Sequence, residues 1–365
     1  MTQSNYFVDR GMNGNTPALP LRADESFVDY VCEARNVLLH ARWKQMGDHG
    51  NKTLKDRGIA IEQTNDCVEQ VRDVISGDME LASFLRIKRS YQEMYKDRII
   101  GSINTQRDDW LRKLNEAELE GPGSLAYDRD FPMPDYAKVQ IHIQPRGYVG
   151  DDLAGLYYDC GTQIFFGGNN AGDAWHRELA ERTTMPEDGK VDRILEIGCS
   201  VGQLACEHKK LNPNAEVWAT DISAPMVRYG HWRAIQQDLD VNFAQMASEA
   251  LEFPDNHFDL VTAHILFHEI PRPVIEKTLA EAFRVLRPGG TFVLWDFSTT
   301  SDDHPGYGGF LGLMDSADNG EPYAPGFVTM GVEKTIEDTG FVIRSIGSPA
   351  QMHDRVCDKP SPKSN

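Results

Sequence analysis

The chain is short of basic residues. It has 37 Lys and Arg against 56 Asp and Glu, a formal net charge of −19 over 365 residues, and no long basic run. Nucleic-acid binding draws on Lys and Arg against phosphates, so this deficit argues against a DNA or RNA partner. Long apolar runs are also missing, and no stretch approaches the ~20 residues needed to span a bilayer, so no membrane partner is expected. The opening residues, from Met1 to Gly11, lack a basic region followed by an apolar core. No signal peptide is read there, and a cytoplasmic protein is expected. The six cysteines at 32, 67, 160, 199, 206 and 357 form no Cys-x-x-Cys pair. Neither a disulfide framework nor a metal site is expected from them. Hydrophobic residues at 40% nevertheless suffice for a buried core, and the length suits two domains.

The most informative stretch runs from Arg193 to Cys206. Ile194, Leu195 and Ile197 form an apolar run suited to a strand buried on both faces. Gly198 and Gly202 follow, and then Gln203 to Leu211 reads as a helix. A strand, a glycine turn and a helix N-terminus let a nucleotide-like ligand approach the backbone closely. The spacing is not the dinucleotide fingerprint G-x-G-x-x-G, because Ser200 stands between glycines four apart and Glu196 lies at the strand's end. A second strand, from Ala215, closes on Asp221, where an acid is placed to accept hydrogen bonds from ribose hydroxyls.

Here the sequence resembles the class I S-adenosylmethionine (SAM)-dependent methyltransferases. Their first motif, E-x-G-x-G-x-G, appears as Glu196 to Gly202 with Ser200 for the middle glycine. Three further blocks follow in that family's order. They are Asp221 to Met226, Phe253 to Val261, and Glu281 to Leu294 with its Arg-Pro-Gly-Gly turn. The resemblance covers roughly residues 170–350 and implies a doubly wound, seven-stranded Rossmann-like α/β domain with SAM as cofactor. It implies Asp221 for the ribose, Glu196 for the cofactor's ammonium, and Ile222 and Met226 around the adenine. Gly198, Cys199, Ser200 and Gly202 would form the loop. Ala247 stands where the family often has an acid for the adenine amino group, which leaves the backbone of Ser248, or another group, as the acceptor. No Asn/Asp-Pro-Pro-Tyr motif of base amino methylation is present.

Residues 1–23, rich in Gly, Asn and Pro, read as a flexible arm. Residues 24–120 read as a helical N-terminal domain that caps the site or dimerises, with helices near 24–47, 59–76, 79–100 and 104–119 and Asp24 as an N-cap. A homodimer through these helices is one expectation. Residues 121–185 read as a linker and substrate lid, with a short strand at Val139–Ile143. The catalytic domain then covers 186–350, and 351–365 reads as a disordered tail.

For catalysis the run from Thr262 to Ile270 stands out. His264 or His268 is read as a general base, with Glu269 orienting it; the resemblance offers a structural or cofactor-side role as the competing account of His268 and counts His264 among the cofactor-binding residues too. His142 is a lesser contributor. The acceptor pocket is expected from Tyr148, Tyr157, Phe166, Trp175 and His176 in the lid, and from Tyr307 and Phe310 after the fifth sheet strand. A packed interdomain hinge explains the lid aromatics equally well. The leading function is methyl transfer to a hydroxyl, amine or thiol of a small metabolite. A non-catalytic SAM-binding regulator, a protein methyltransferase and an aminopropyl transferase are the alternatives.

Overall fold

The computed structural model describes residues 9–59, 66–297, 299, 310, 320–347 and 352–361. The chain enters through a small hairpin, β1 (Met12–Asn13) and β2 (Thr16–Pro17). Part of the expected arm is therefore fixed. Arg10 pairs with Glu25 at 2.8 Å, and Asn15 donates to Asp173 at 2.6 Å.

Five helices follow: α1 (Arg22–Arg35), α2 (Ala41–Asp56), α3 (Asp66–Ser76), α4 (Met79–Asn104) and α5 (Arg107–Ala117). Asp78 caps α4 by accepting from the Glu80 and Leu81 amides, which satisfies donors the helix cannot. Asp24 is not an N-cap. It lies inside α1 and accepts from Ser102 and Arg98, tying α1 to α4.

These helices do not form a core of their own throughout. Val31, Tyr95, Ile99 and Trp110 share one apolar cluster with Met226, Tyr229 and Trp232 of the following domain. The Trp110 and Trp232 rings meet edge to face at 5.3 Å. Burying such side chains contributes roughly 1.5–3 kcal/mol each, so the helical cap is held to the sheet unit along a wide seam.

Next come β3 (Ser124–Ala126), α6 (Ala154–Thr162) and α7 (Ala174–Arg182). The expected strand at Val139–Ile143 is absent. Ile141–Ile143 is a short 3-10 turn, with His142 and Ile143 in the left-handed region at φ 53° and 58°. The segment pairs with neither edge strand of the sheet, β3 or β9.

The remainder alternates as expected: β4 (Arg193–Ile197), α8 (Gln203–Leu211), β5 (Glu216–Asp221), α9 (Ala224–Gln236), β6 (Asn242–Gln245), β7 (Phe258–His264), α10 (Arg272–Val285) and β8 (Leu286–Phe297). Then follow α11 (Ala324–Val328), α12 (Val332–Thr339), β9 (Val342–Gly347) and β10 (Met352–Asp358). The sheet order is β3-β6-β5-β4-β7-β8-β10-β9. The strands from β3 to β8 run parallel, and β10 is antiparallel to β8 and β9.

Side chains alternate across the sheet. Leu195, Ile197, Val261 and Leu294 join the core with α10 and α12, whereas Ile194, Val217, Leu260 and Trp295 join the core with α8 and α9. The expected tail is a correction: β10 is an interior strand. Its polar sequence disguised it, because Arg355 is buried only with Glu333 beside it and Asp358 is held by Arg344.

Candidate functional site

The strand order turns back between β4 and β7, and in open α/β sheets the crevice at such a switch point takes the ligand. The loop leaving β4 and the end of β7 form that crevice here. Its walls include Glu196, Gly198, Ser200, Asp221, Met226, His264 and Glu269, with Tyr148, Tyr158 and His176 laid over the top. The free space is about 40 Å³. Pockets that enclose a ligand measure about 300–1,000 Å³, so a nucleoside-sized ligand enters only if the overlying aromatic layer moves. A larger groove of about 420 Å³ lies between Arg10, Trp110 and Trp232, but it gathers no histidine and no buried acid.

The loop is built from its own residues. Ser200 takes a left-handed conformation at φ 47°, the kind of position where the motif's middle glycine is at ease. Its amide donates to Asp221 Oδ2 at 2.9 Å, while the Ser223 amide donates to Asp221 Oδ1 at 2.8 Å. Asp221 thus clamps the first loop to the second. Burial raises its carboxyl to about 7 against the pull of those amides. Glu196 accepts from the Ala205 amide at 2.7 Å in the first turn of α8, so it braces the loop. Burial lifts its carboxyl to about 8.

The two glycines are required by packing as well as by conformation. A Cβ on Gly198 would meet Leu266 at 2.8 Å, and one on Gly202 would meet the Phe243 ring at 2.4 Å. Cys199 is buried, and its amide donates to Thr220 O.

The expected residues separate. Met226 lines the crevice, while Ile222 is only half-buried and is not among the lining residues. Ala247 and Ser248 also stand outside the lining, and the Ser248 hydroxyl is engaged with Thr278 at 2.8 Å. Tyr148 and His176 are in the crevice. Tyr157 is not, because its hydroxyl donates to Asn104 Oδ1 at 2.8 Å and its ring joins the cap core. Its neighbour Tyr158 takes the crevice position, since successive residues of α6 point about 100° apart. Phe166 packs on Trp175 and His176, and Trp175 stands one ring back, 5.0 Å from His264. Phe310 is buried against Gly50 in the cluster of Leu39, Met46 and Leu54, far from an acceptor role. Tyr307 lies outside the described residues.

The histidines divide likewise. His264 lines the crevice with Nε2 unpartnered among the described residues, and burial holds it well below its ordinary value, so it is neutral and weakly basic. Burial also takes His176 down to about 3. His268 is fully buried and outside the crevice lining. Its Nδ1 donates to Asp296 at 2.8 Å; burial works against its charge, but Asp296 outweighs it and the net shift is upward.

Glu269 pairs not with His264 or His268 but with His142, whose Nε2 lies 2.9 Å from Glu269 Oε1. His142 Nδ1 lies 3.1 Å from Glu321. Burial disfavours the His142 charge, yet Glu321 and Glu269 outweigh it and raise the group to about 9. Gly320, at φ 73°, brings Glu321 in, because any Cβ there would meet Gln140 O at 2.7 Å. Lys96 of α4, buried and brought down to about 7, lies within the field of Glu269. Glu321 and Lys96 carried no signal in the sequence, since each arrives from a distant segment as a single charged residue.

A sheet whose switch point carries Glu196, the glycine loop and Asp221 is the arrangement of a SAM-binding fold, and the comparisons agree. Residues 194–290 match the family described as the methyltransferase domain. The chain carries a class I SAM-dependent methyltransferase domain. A ubiquinone/menaquinone biosynthesis C-methyltransferase UbiE from Rhodopseudomonas palustris is 31% identical over 152 residues, 41% of this chain and 58% of that protein. A demethylmenaquinone methyltransferase from Thermus thermophilus is 38% identical over 105 residues, 29% of this chain and 47% of that protein. The chain thus spans about half the length of the curated relatives it matches. A SAM-dependent methyltransferase structure from Aquifex aeolicus superposes with a TM-score of 0.40 at 19% identity, over 50% of this chain and 89% of that one. The donor set of the methyltransferase domain fits SAM: two buried carboxylates, loop amides, and an apolar wall at Met226.

Proposed function

We propose that this chain methylates a small molecule held between the carboxyl edge of the sheet and the layer of Tyr148, Tyr158 and His176. One observation carries the reading: a single narrow crevice joins the Gly198–Gly202 loop and Asp221 to Glu269, which is paired with His142. When bound, SAM supplies an electrophilic methyl group on a sulfonium. Asp221 accepts from the ribose hydroxyls, Glu196 faces the ammonium, and Met226 lies along the adenine. What remains for the protein is to hold the acceptor in line and take its proton.

Glu269 suits the proton-accepting role better than either histidine expected for it. It borders the crevice as an acceptor, whereas His264 is weakly basic and His268 lies behind the wall. His142, holding its proton, orients the carboxylate. This arrangement favours a hydroxyl acceptor over an amine or a thiol. A carbon acidified by a neighbouring carbonyl would use the same base, and the C-methyltransferase names of the relatives bring that acceptor into the proposal.

The test is calorimetric binding of SAM, S-adenosylhomocysteine and NADH to the purified chain, followed by S-adenosylhomocysteine release with a pooled metabolite extract. Micromolar SAM binding that Asp221→Ala abolishes, with turnover, is the expected result. Binding without turnover on any extract favours a regulatory protein, and preference for NADH overturns the reading.

A further inference from the structure

The crevice ends on Glu269 and His142, and beside them stands His268, which the proton transfer described above does not use. One ring nitrogen each from His142 and His268 and a carboxylate oxygen of Glu269 lie within 4.8 Å of one another. The two imidazoles are held in the same way. His142 has Nδ1 on Glu321 at 3.1 Å, and His268 has Nδ1 on Asp296 at 2.8 Å. A carboxylate only accepts, so each Nδ1 carries the proton and each Nε2 is left for the shared centre, where that of His142 must give up the proton it donates to Glu269 before it can bind an ion. His142 Nε2 meets Glu269 there at 2.9 Å. His268 Nε2, fully buried, has no hydrogen-bond partner among the described residues. A buried imidazole nitrogen left unmatched is destabilising unless something fills the position.

Two histidines fixed by outer carboxylates, together with one glutamate, form the donor set of zinc and non-haem iron sites. With bonds of about 2.0–2.2 Å, neighbouring donors stand roughly 3.3 Å apart, so an ion would spread His142 Nε2 and Glu269 slightly from 2.9 Å and draw His268 toward them from within 4.8 Å. Asp296 is itself rigid, because it also accepts from the Phe267 and Phe297 amides at 2.8 Å. We propose that His142, His268 and Glu269 bind one divalent transition-metal ion, zinc or iron(II), at the inner end of the crevice. Glu269 belongs to both the crevice and the trio. The ion's open positions therefore face the acceptor and take an oxygen-bearing one, an enol, a phenol or a 2-oxo acid. Only this last step, to the acceptor, rests on the methyltransferase reading.

The metal-stripped full chain is titrated with Zn2+ and, separately, with Co2+. One Zn2+ per chain and cobalt visible bands of a four- or five-coordinate nitrogen and oxygen site are expected. Glu269→Gln and His142→Gln should weaken Zn2+ by more than about 100-fold, and Asp296→Asn by about 10–100-fold, through the orientation of His268. S-adenosylhomocysteine binding and the far-ultraviolet circular dichroism of each variant show that it is folded. Undiminished Zn2+ affinity in Glu269→Gln, or no stoichiometric Zn2+ on a chain that binds S-adenosylhomocysteine, overturns the metal site and leaves the methyltransferase reading standing. Stoichiometric Zn2+ lost in the variants, on a wild-type chain that binds no SAM, upholds the site and removes that reading.

Discussion

Two buried polar clusters lie on either side of the crevice, and they are built on opposite logics. In the first, Arg233 stands between Asp159 and Asp173, all three fully buried. Tyr229, Thr16 and Gln203 donate to Asp159, and Asn15 and Gln203 donate to Asp173. Nothing is left to offer a ligand. Arg233 Nη1 lacks a partner among the described residues, but a guanidinium has no lone pair for a cation and no acceptor capacity. In the second, Glu269, Glu321 and Asp296 surround His142 and His268, and one imidazole nitrogen is left over beside a crevice. The first cluster joins the hairpin, α6, α8 and α9. The second holds chemistry. A buried network closed on itself serves the fold, whereas one with a lone pair to spare beside a cavity is available for function.

Breaking the first cluster should cost the most stability. Arg233→Met leaves two buried carboxylates without their cation, and roughly 3–5 kcal/mol is expected to be lost in denaturant unfolding. Turnover per folded molecule should change little.

Glu269→Gln should do the reverse. Stability should move by no more than about 1–2 kcal/mol, since a near-isosteric acceptor remains for His142, while turnover falls about 10²-fold or more. If both variants lose stability and activity together, the division between the clusters is wrong.

A third prediction concerns the cofactor end. Asp221 titrates near 7 and Glu196 near 8 in the folded chain, above their ordinary 3.8 and 4.5. The folded chain therefore holds these protons more tightly than the unfolded chain, and its unliganded stability declines as pH rises from about 4 through 8. Donors on the cofactor favour the carboxylates, so SAM affinity should be full above pH 8. It should fall by up to about tenfold per unit between 8 and 7 and by up to about a hundredfold per unit below 7, with proton uptake on release visible as a buffer-dependent calorimetric heat. Asp221→Asn should remove the lower part of that dependence.

The smallest effect belongs to a pair outside both clusters. Lys334 and Asp338, exposed neighbours on α12, should contribute under about 0.5 kcal/mol, so Lys334→Ala should unfold with the wild-type midpoint.

Much of the cofactor half was legible without coordinates because its signals are local. The run Ile194–Ile197, the glycines that follow and Asp221 are set by strand, turn and helix rules within a few residues. β4, α8 and β5 accordingly fall where the sequence puts them, within a few residues at the ends. Ser200 stands for the motif's middle glycine, and its left-handed backbone shows what that replacement has to accommodate.

The failures are equally physical. β10 reads as a tail because its burial is supplied by β8 and β9 on both sides, not by its own apolar content. Val139–Ile143 alternates like a strand, but His142 and Ile143 adopt left-handed backbone that no strand can hold. Tyr157 and Tyr158 are indistinguishable in the sequence until the rotation of α6 assigns one to the cap core and the other to the crevice.

The sequence by itself determined the methyltransferase domain, its cofactor loop and the acid at the tip of β5, because short-range geometry ties each of these to its neighbours in the chain. It also placed His268 and Glu269 just past β7. Only the tertiary structure decided what those two residues meet. His142 arrives from 127 positions away, Glu321 comes from beyond the fifth sheet strand of the domain, and Asp296 fixes His268 through its Nδ1. Contacts between single residues on distant segments leave no periodic trace in a sequence, and the chemistry of this site is made of such contacts.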